Sequence, residues 1–282
     1  MRSNSSTEIN EKEAFGSQNK RIKRNPRCSP GRLTVISLGP GNPMYMAPRA
    51  MTAIEQADVI VGYKTYMDMI EPVRLKGKET VTTGMKGEIR RCKLAIEKAL
   101  EGFNTAVVSG GDAGIYGMAG LVIELLAEQD LLNDIHLEVV PGIPALAAGA
   151  ALLGAPLMHD FAVISLSDLM TPWEQIKERI KSAAGSDFVL VIYNPRSIKR
   201  DWQLGEARDL IMKCRDPDTP VGIVKNAARE EESAHITTLS ALNESQVDML
   251  SILIIGNSGT KVIENKMVTP RGYIEKYGER SQ

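Results

Sequence analysis

The residues best suited to chemistry in this sequence are glycines, prolines and one aspartate, gathered in three short segments. These are Gly39-Pro-Gly-Asn-Pro43, Gly110-Gly-Asp-Ala-Gly-Ile-Tyr-Gly117 and Pro141-Gly-Ile-Pro-Ala145. Each follows directly on an apolar run of β type: Leu33–Leu38, Thr105–Ser109 and Leu137–Val140. Ligands of open α/β sheets bind outside the carboxyl ends of strands, so three such turns are expected to rim one cleft. Glycine lets a ligand come close to the backbone, and proline fixes the turn. Asp112, two glycines beyond its strand, can accept hydrogen bonds from ligand hydroxyls or an ammonium, or cap the next helix.

The common nucleotide motifs fail. G-x-G-x-x-G would need a glycine where Met44 stands, and no G-x-x-x-x-G-K-[ST] run exists, which disfavours a Rossmann dinucleotide site and a P-loop. A net charge of −1 gives no field to draw in nucleic acid. Aromatic residues at 5% leave few platforms for unpaired bases. Cys28, Cys92 and Cys214 are far apart and odd in number, so neither a zinc site nor a disulfide framework is expected, and a reduced cytoplasm is the simplest compartment. His136 and His235 fall in β-type runs and are expected to be structural. No metal site of the protein's own is expected. No apolar run is long enough to span a bilayer, and the first thirty residues lack the apolar middle of a signal peptide.

The elements that must position these residues form two series. Residues 1–30 carry a net +4 against −5 for the rest, lack an apolar period, and read as a disordered basic tail. Residues 31–156 alternate β-type runs with helical stretches. In Lys86–Glu101, Ile89, Cys92, Ile96 and Ala99 recur at helical spacing, and strands alternating with helices indicate a largely parallel sheet. Gly154 and Pro156 punctuate the text, and a second series fills 157–282: Phe161–Ser165, Phe188–Tyr193, Val221–Val224, His235–Thr238 and Ile252–Ile255. Thr171-Pro-Trp-Glu174 reads as a capping box opening its first helix. The apolar stretch Ala147–Leu153 suits a core or an interface. The fold class is α/β, in two α/β domains.

Further segments complete a pattern. Ala57-Asp-Val-Ile-Val61, Val140-Pro-Gly-Ile-Pro-Ala145, Tyr193-Asn-Pro195, Lys225-Asn-Ala227 and Ile254-Ile-Gly-Asn-Ser258 follow in order with the turns above. From about Leu33 to Tyr273 the chain resembles the tetrapyrrole (class III) methyltransferase family. Gly62-Tyr-Lys-Thr-Tyr66, Thr83-Gly-Met-Lys86 with Glu88, and Tyr193-Asn-Pro-Arg-Ser197 are most similar to the branch that methylates C17 of precorrin-3B or cobalt-factor III and contracts the ring. Ala113, where sister enzymes carry proline, fits that branch. Branches acting at C20 or C11, and diphthine synthase, stay open as alternatives.

The resemblance implies S-adenosyl-L-methionine as cofactor, leaving as S-adenosyl-L-homocysteine, held in a cleft between the two domains, and a homodimer acting on a tetrapyrrole without nucleic acid or membrane. By position, Pro40, Gly110, Gly111, Asp112, Ile115, Tyr116, Pro144 and Ala145 would line the cofactor, joined by Asn194 and Ala227 where sister enzymes have Met or Gly. Lys64, Arg90, Arg196 and Arg229 would meet substrate carboxylates, a task suited to arginine, with His159 near the substrate. Sister enzymes place an acid and then a lysine after successive strands. Here those places fall at Tyr63 and Lys86, the candidates for acid/base work.

Overall fold

The computed structural model describes residues 29–198 and 200–278; the basic tail, apart from Ser29 and Pro30, lies outside them. The chain divides into two compact units, Met1–Ala145 and Leu146–Gln282. In the first come β1 (Arg32–Ser37), α1 (Pro48–Gln56), β2 (Val59–Tyr63), α2 (Lys64–Met67), α3 (Pro72–Leu75), β3 (Glu79–Thr83), α4 (Glu88–Leu100), β4 (Thr105–Ser109), α5 (Ala119–Glu128) and β5 (His136–Val140).

The five strands form one parallel sheet in the order β3-β2-β4-β1-β5. Helices cover both faces, which is why β1 and β4 are buried along nearly their whole length rather than on alternate residues. Leu33, Val35, Val61 and Val107 face Cys92, Ile96, Val122 and Leu126 of α4 and α5. Ile36, Ile60, Ala106 and Val108 face Ala50, Ala53 and Ile54 of α1. In α4 the buried stripe is Arg91, Cys92, Ala95, Ile96, Ala99 and Leu100, whereas Ile89, expected on that face, is 52% exposed.

Helix α6 (Ala145–Leu153) opens the second unit with a core role. The space beside Gly149 is filled by Ile252 and Val224, and that beside Gly222 by Leu153. Then follow β6 (Gly154–Ala155), β7 (Phe161–Ser165), α7 (Trp173–Gly185), β8 (Val189–Tyr193), α8 (Gln203–Ile211), β9 (Pro220–Lys225), β10 (Ser233–Thr238), β11 (Ser251–Ile255), β12 (Lys261–Ile263), β13 (Lys266–Val268) and α9 (Tyr273–Tyr277). The Gly154–Pro156 punctuation is the place where β6 pairs with β13, so it falls inside this unit.

The main sheet here runs β10-β9-β11-β8-β7. Only β7 and β8 pair in parallel. β11 enters antiparallel between β8 and β9, and β10 folds back on β9. Ile164, Ile192, Ile223 and Leu253 pack under Ile176 and Ile180 of α7 and Leu204 and Ile211 of α8. The capping box does not form: Pro172 is the N-cap of α7 with no side-chain cap, and Glu174 pairs with Lys177 at 2.7 Å. Proline at the cap position sets the chain entry, and Thr171 sits one residue too early. No described helix is long and apolar enough to cross a membrane.

Candidate active site

In the first unit the turns after β1, β4 and β5 leave one edge of the sheet side by side, because β1 lies between β4 and β5 with Ser37 level with Ser109 and Ile36 level with Val140. Backbone bonds lock them. Gly39 and Gly111 form an antiparallel bridge, with Gly39 N–H donating to Gly111 O at 3.1 Å and Gly111 N–H to Gly39 O at 2.7 Å. Both glycines have left-handed φ, 75° and 65°, a conformation that costs other residues roughly 1–2 kcal/mol. Buried Ser37 Oγ accepts from Ala113 N–H at 2.9 Å.

Asp112 is the pin of this assembly. One carboxylate oxygen accepts from Gly114 N–H at 2.8 Å within its own turn, and the other from Gly142 N–H at 2.9 Å in the β5 turn. Its role is therefore that of a tie between turns, with lone pairs left for a ligand. Gly142 has no room for a side chain: a Cβ would lie 2.6 Å from Ser37 Cβ and 2.7 Å from Gly111 O. Over Gly111 the nearest atoms to such a Cβ are Ala145 N at 3.7 Å and Pro144 Cα at 3.8 Å. Pro40 is buried, Ile115 half-buried and Tyr116 exposed, with φ 52°. All eight first-unit residues expected to line a cofactor thus fall in these three turns.

Tyr63 and Lys86 leave the same edge, since Tyr63 ends β2 level with Thr83 of β3. Lys86 is exposed and left-handed at φ 67°. Lys64 is exposed at the start of α2, and Arg90 is half-buried in the first turn of α4. Two neighbours escaped the sequence reading. Arg91, 2% exposed, donates from Nε to Thr83 Oγ1 at 2.9 Å and from Nη2 to Gly84 O at 3.2 Å. Tyr66 packs against Gly110. On the helix Arg91 continues the buried stripe, which runs back at i−4 steps from Ala99 through Ala95 to Arg91 and not to Ile89.

In the second unit the turns after β7, β8 and β9 share one edge of its sheet, joined by the segment entering β11. Asn194, with φ 49°, donates from Nδ2 to Ser165 Oγ at 2.9 Å, and its carbonyl accepts from Arg200. Arg200, 7% exposed, also reaches Leu166 O at 3.2 Å and Met249 Sδ at 3.6 Å. Tyr193 Oη accepts from Leu146 N–H at 3.0 Å. Ala227 lies between left-handed Asn226 and Ala228, φ 53° and 57°. Arg196 donates to Glu244 O at 2.7 Å. Arg229 is half-buried in the β9–β10 connection. Lys225 Nζ meets Asp248 at 2.6 Å. Burial alone would raise the Asp248 pKa, but hydrogen bonds from Lys225, Leu250 N–H and Ser251 outweigh it and hold the carboxyl below its ordinary value.

His159 is not brought together with these residues. It precedes β7, whereas they follow β8 and β9, so it sits at the opposite edge of the sheet. There a cavity of about 420 Å³ is lined by His159, Asp187, Ser258 and Lys261 among others. Asp187 accepts from Ser258 N–H at 3.0 Å and Ser258 Oγ at 2.6 Å and pairs with Arg215. Burial works against its charged form, yet these donors keep its pKa below the ordinary value. No metal-binding cluster of His, Cys, Asp or Glu exists among the described residues.

Left-handed non-glycine residues recur in the turns after β3, β4, β8 and β9, at Lys86, Tyr116, Asn194, Asn226, Ala228 and Glu231, and stand elsewhere at Asp130, Asp187 and Glu264. Such strain costs of order 1–3 kcal/mol each and gathers where ligands are held.

A family model for the tetrapyrrole (corrin/porphyrin) methylases matches residues 32–243. A relative from Salmonella typhimurium, named probable cobalt-factor III C(17)-methyltransferase, is 48% identical over 241 residues, 86% of this chain and 99% of that protein. The cobalt-factor III methyltransferase of Priestia megaterium is 46% identical over 249 residues, 88% of this chain; the chain spans only 46% of that longer protein. The crystal structure of the methyltransferase CobJ superposes with a TM-score of 0.82 at 32% identity, covering 85% of this chain and all of the other. A uroporphyrin-III C-methyltransferase from Thermus thermophilus, solved with S-adenosylhomocysteine, shares the fold at TM-score 0.61 and 24% identity, over 80% of this chain and 97% of the other.

Proposed function

The chain belongs to the tetrapyrrole (corrin/porphyrin) methylases, and from that premise we propose that it is an S-adenosylmethionine-dependent C-methyltransferase of cobalamin biosynthesis. Its substrate is cobalt-factor III or precorrin-3B, methylated at C17 with contraction of the ring. The observation that carries the reading is the locked set of turns after β1, β4 and β5, pinned by Asp112 and floored by glycine. The activity named for the Salmonella typhimurium relative, matched over nearly its full length, supports the position of methylation.

The turns fit the cofactor. Side chains are excluded at Gly142 and Gly110 by contacts of 2.6–2.7 Å, while Gly111 faces nothing closer than 3.7 Å, so backbone is what a ligand would meet there. When bound, S-adenosylmethionine supplies an electrophilic methyl group. Pro40, Gly110, Gly111, Asp112, Ile115, Tyr116, Pro144 and Ala145 are assigned to hold it, with Asn194 and Ala227 from the second unit. Holding the reacting carbons in line can be worth roughly 7–11 kcal/mol, with no covalent intermediate on the protein.

Lys64, Arg90, Arg196 and Arg229 are assigned to the substrate's carboxylates, to which arginine is geometrically suited. The Tyr63 hydroxyl and the Lys86 ammonium are the groups assigned to proton movements during ring contraction. The same reading makes the protein a cytoplasmic enzyme and a homodimer, and light scattering checks the second point. The decisive test is mass spectrometry after incubation with S-adenosylmethionine and each substrate. A ring-contracted product heavier by one methylene is expected from cobalt-factor III or precorrin-3B; methylation of a different precorrin instead overturns the assignment.

A further inference from the structure

Charged side chains are rarely fully buried unless paired, yet the hydrogen bonds of Arg91 all go to neutral groups: Thr83 Oγ1, Gly84 O and, at 3.5 Å, Met118 Sδ. Its guanidinium carbon stands 5.8 Å from the centroid of the Tyr63 ring. Tyr63 meets Tyr66 edge to face at 5.5 Å and 88°. Tyr66 in turn packs against the β4 turn, where a Cβ on Gly110 would lie 2.7 Å from its Cε1. One continuous path therefore runs from the end of β3, across β2, to the glycine floor of the candidate site.

The geometry points to Arg91 as a positioning residue that holds the Gly110–Gly111 turn in its ligand-binding shape through the Tyr63–Tyr66 pair. The inference rests on the reading above that this turn binds the cofactor. Burial pulls the Arg91 pKa down and the charge of Glu88 partly offsets it; a guanidinium bears such a site because it stays protonated and its planar fork reaches several acceptors at once. Lysine at this position would keep the charge but replace the planar fork with a compact, strongly hydrated ammonium, which is less suited to meeting Thr83 Oγ1, Gly84 O and the ring face together.

Calorimetry of the full chain with S-adenosylhomocysteine tests this as a double-mutant cycle. Arg91→Lys and Tyr66→Leu should each weaken binding about tenfold, the order expected for disturbing a largely desolvated cation–aromatic contact with Tyr63 in the first case and for losing the edge-to-face ring pair and its packing on Gly110 in the second. The double variant should be no weaker than the worse single one, because one path is broken only once. Losses that multiply to about a hundredfold overturn the inference. So does an Arg91→Lys protein that melts lower but binds as tightly as wild type, since that is the mark of a merely structural residue. If Arg91→Lys fails to fold, Thr83→Val, which removes only the Nε acceptor, takes its place in the cycle with the same two outcomes. A wild-type protein that binds no S-adenosylhomocysteine sinks the cofactor reading and this inference together; unchanged affinity in the variants sinks the inference alone.

Discussion

Adding one methyl group at Gly142 is the sharpest probe of the turn assembly. The new Cβ would lie 2.6 Å from Ser37 Cβ, 2.7 Å from Gly111 O and 3.3 Å from Gly39 N. Two of these are backbone atoms and the third is the root of the fully buried Ser37 side chain, so none can swing away. Overpacking of this kind costs typically 1–3 kcal/mol, and the absence of a movable partner puts Gly142→Ala near the upper end. For a unit of this size that lowers the melting temperature by roughly 10 °C. Relief would have to come from parting the β1 and β5 turns, which breaks the Asp112–Gly142 bond and with it the shape offered to the cofactor. Gly120→Ala is the matched control: it lies in α5 with nothing within 4 Å of the added carbon, and alanine should stabilise the helix by up to about 1 kcal/mol. Differential scanning fluorimetry and calorimetry with S-adenosylhomocysteine read both variants. A Gly142→Ala protein that melts with wild type and keeps its affinity would refute the reasoning.

Asp112→Ala leaves two backbone amides without their charged acceptor and should cost about 2 kcal/mol, since hydrogen bonds to charged groups are worth about 1.5–3 kcal/mol and this residue is only half-buried. Asp112→Asn retains one acceptor and should fall between in chemical denaturation; an Asn variant as weak as Ala counts against a two-sided tie. Asp187 and Asp248 have pKa values held below the ordinary carboxylate value, so their contribution is complete above about pH 4 and is lost as pH falls through the folded values. Asp187→Asn and Asp248→Asn proteins should therefore show a shallower loss of stability in acid, and parallel acid curves would contradict this. Burial pushes the Cys92 thiol up to about 12, so the native protein should leave it unalkylated at pH 8 while exposed Cys214 reacts, as peptide mapping would read. For Cys92 the sign is opposite to the carboxylates: its stabilising effect is full below the ordinary thiol value and fades as pH rises towards about 12.

Much of this was legible because the first unit is a parallel sheet covered on both faces. That burial makes β1 and β4 predominantly apolar, and the parallel register sends every following turn to one edge, so glycines placed after strands already pointed to the candidate site. What stayed hidden had weaker signals. β3, Glu79-Thr-Val-Thr-Thr83, is a half-exposed edge strand with one strongly apolar residue, and β6, β12 and β13 are two or three residues long. The antiparallel entry of β11 between β8 and β9 is a matter of strand order, to which local periodicity is blind. Arg91 was masked because a charged residue on a helix reads as solvated until its neighbours are known to be buried. His159 looked close to the site in sequence, but a residue before a strand and residues after it leave the sheet at opposite ends.

The place of β1 has a consequence for how the first unit assembles. Leu33 finds its partners in Thr105 and Leu137, so this apolar strand stays unpaired until β4 is available and is flanked on both sides only once β5 follows. Nearly all of its stabilising contacts close long loops, a topology that folds slowly and leaves sticky surface in the open meanwhile. Fragments that stop short of β4 should be unable to shelter this strand, and assembly of the unit becomes all-or-none around its arrival.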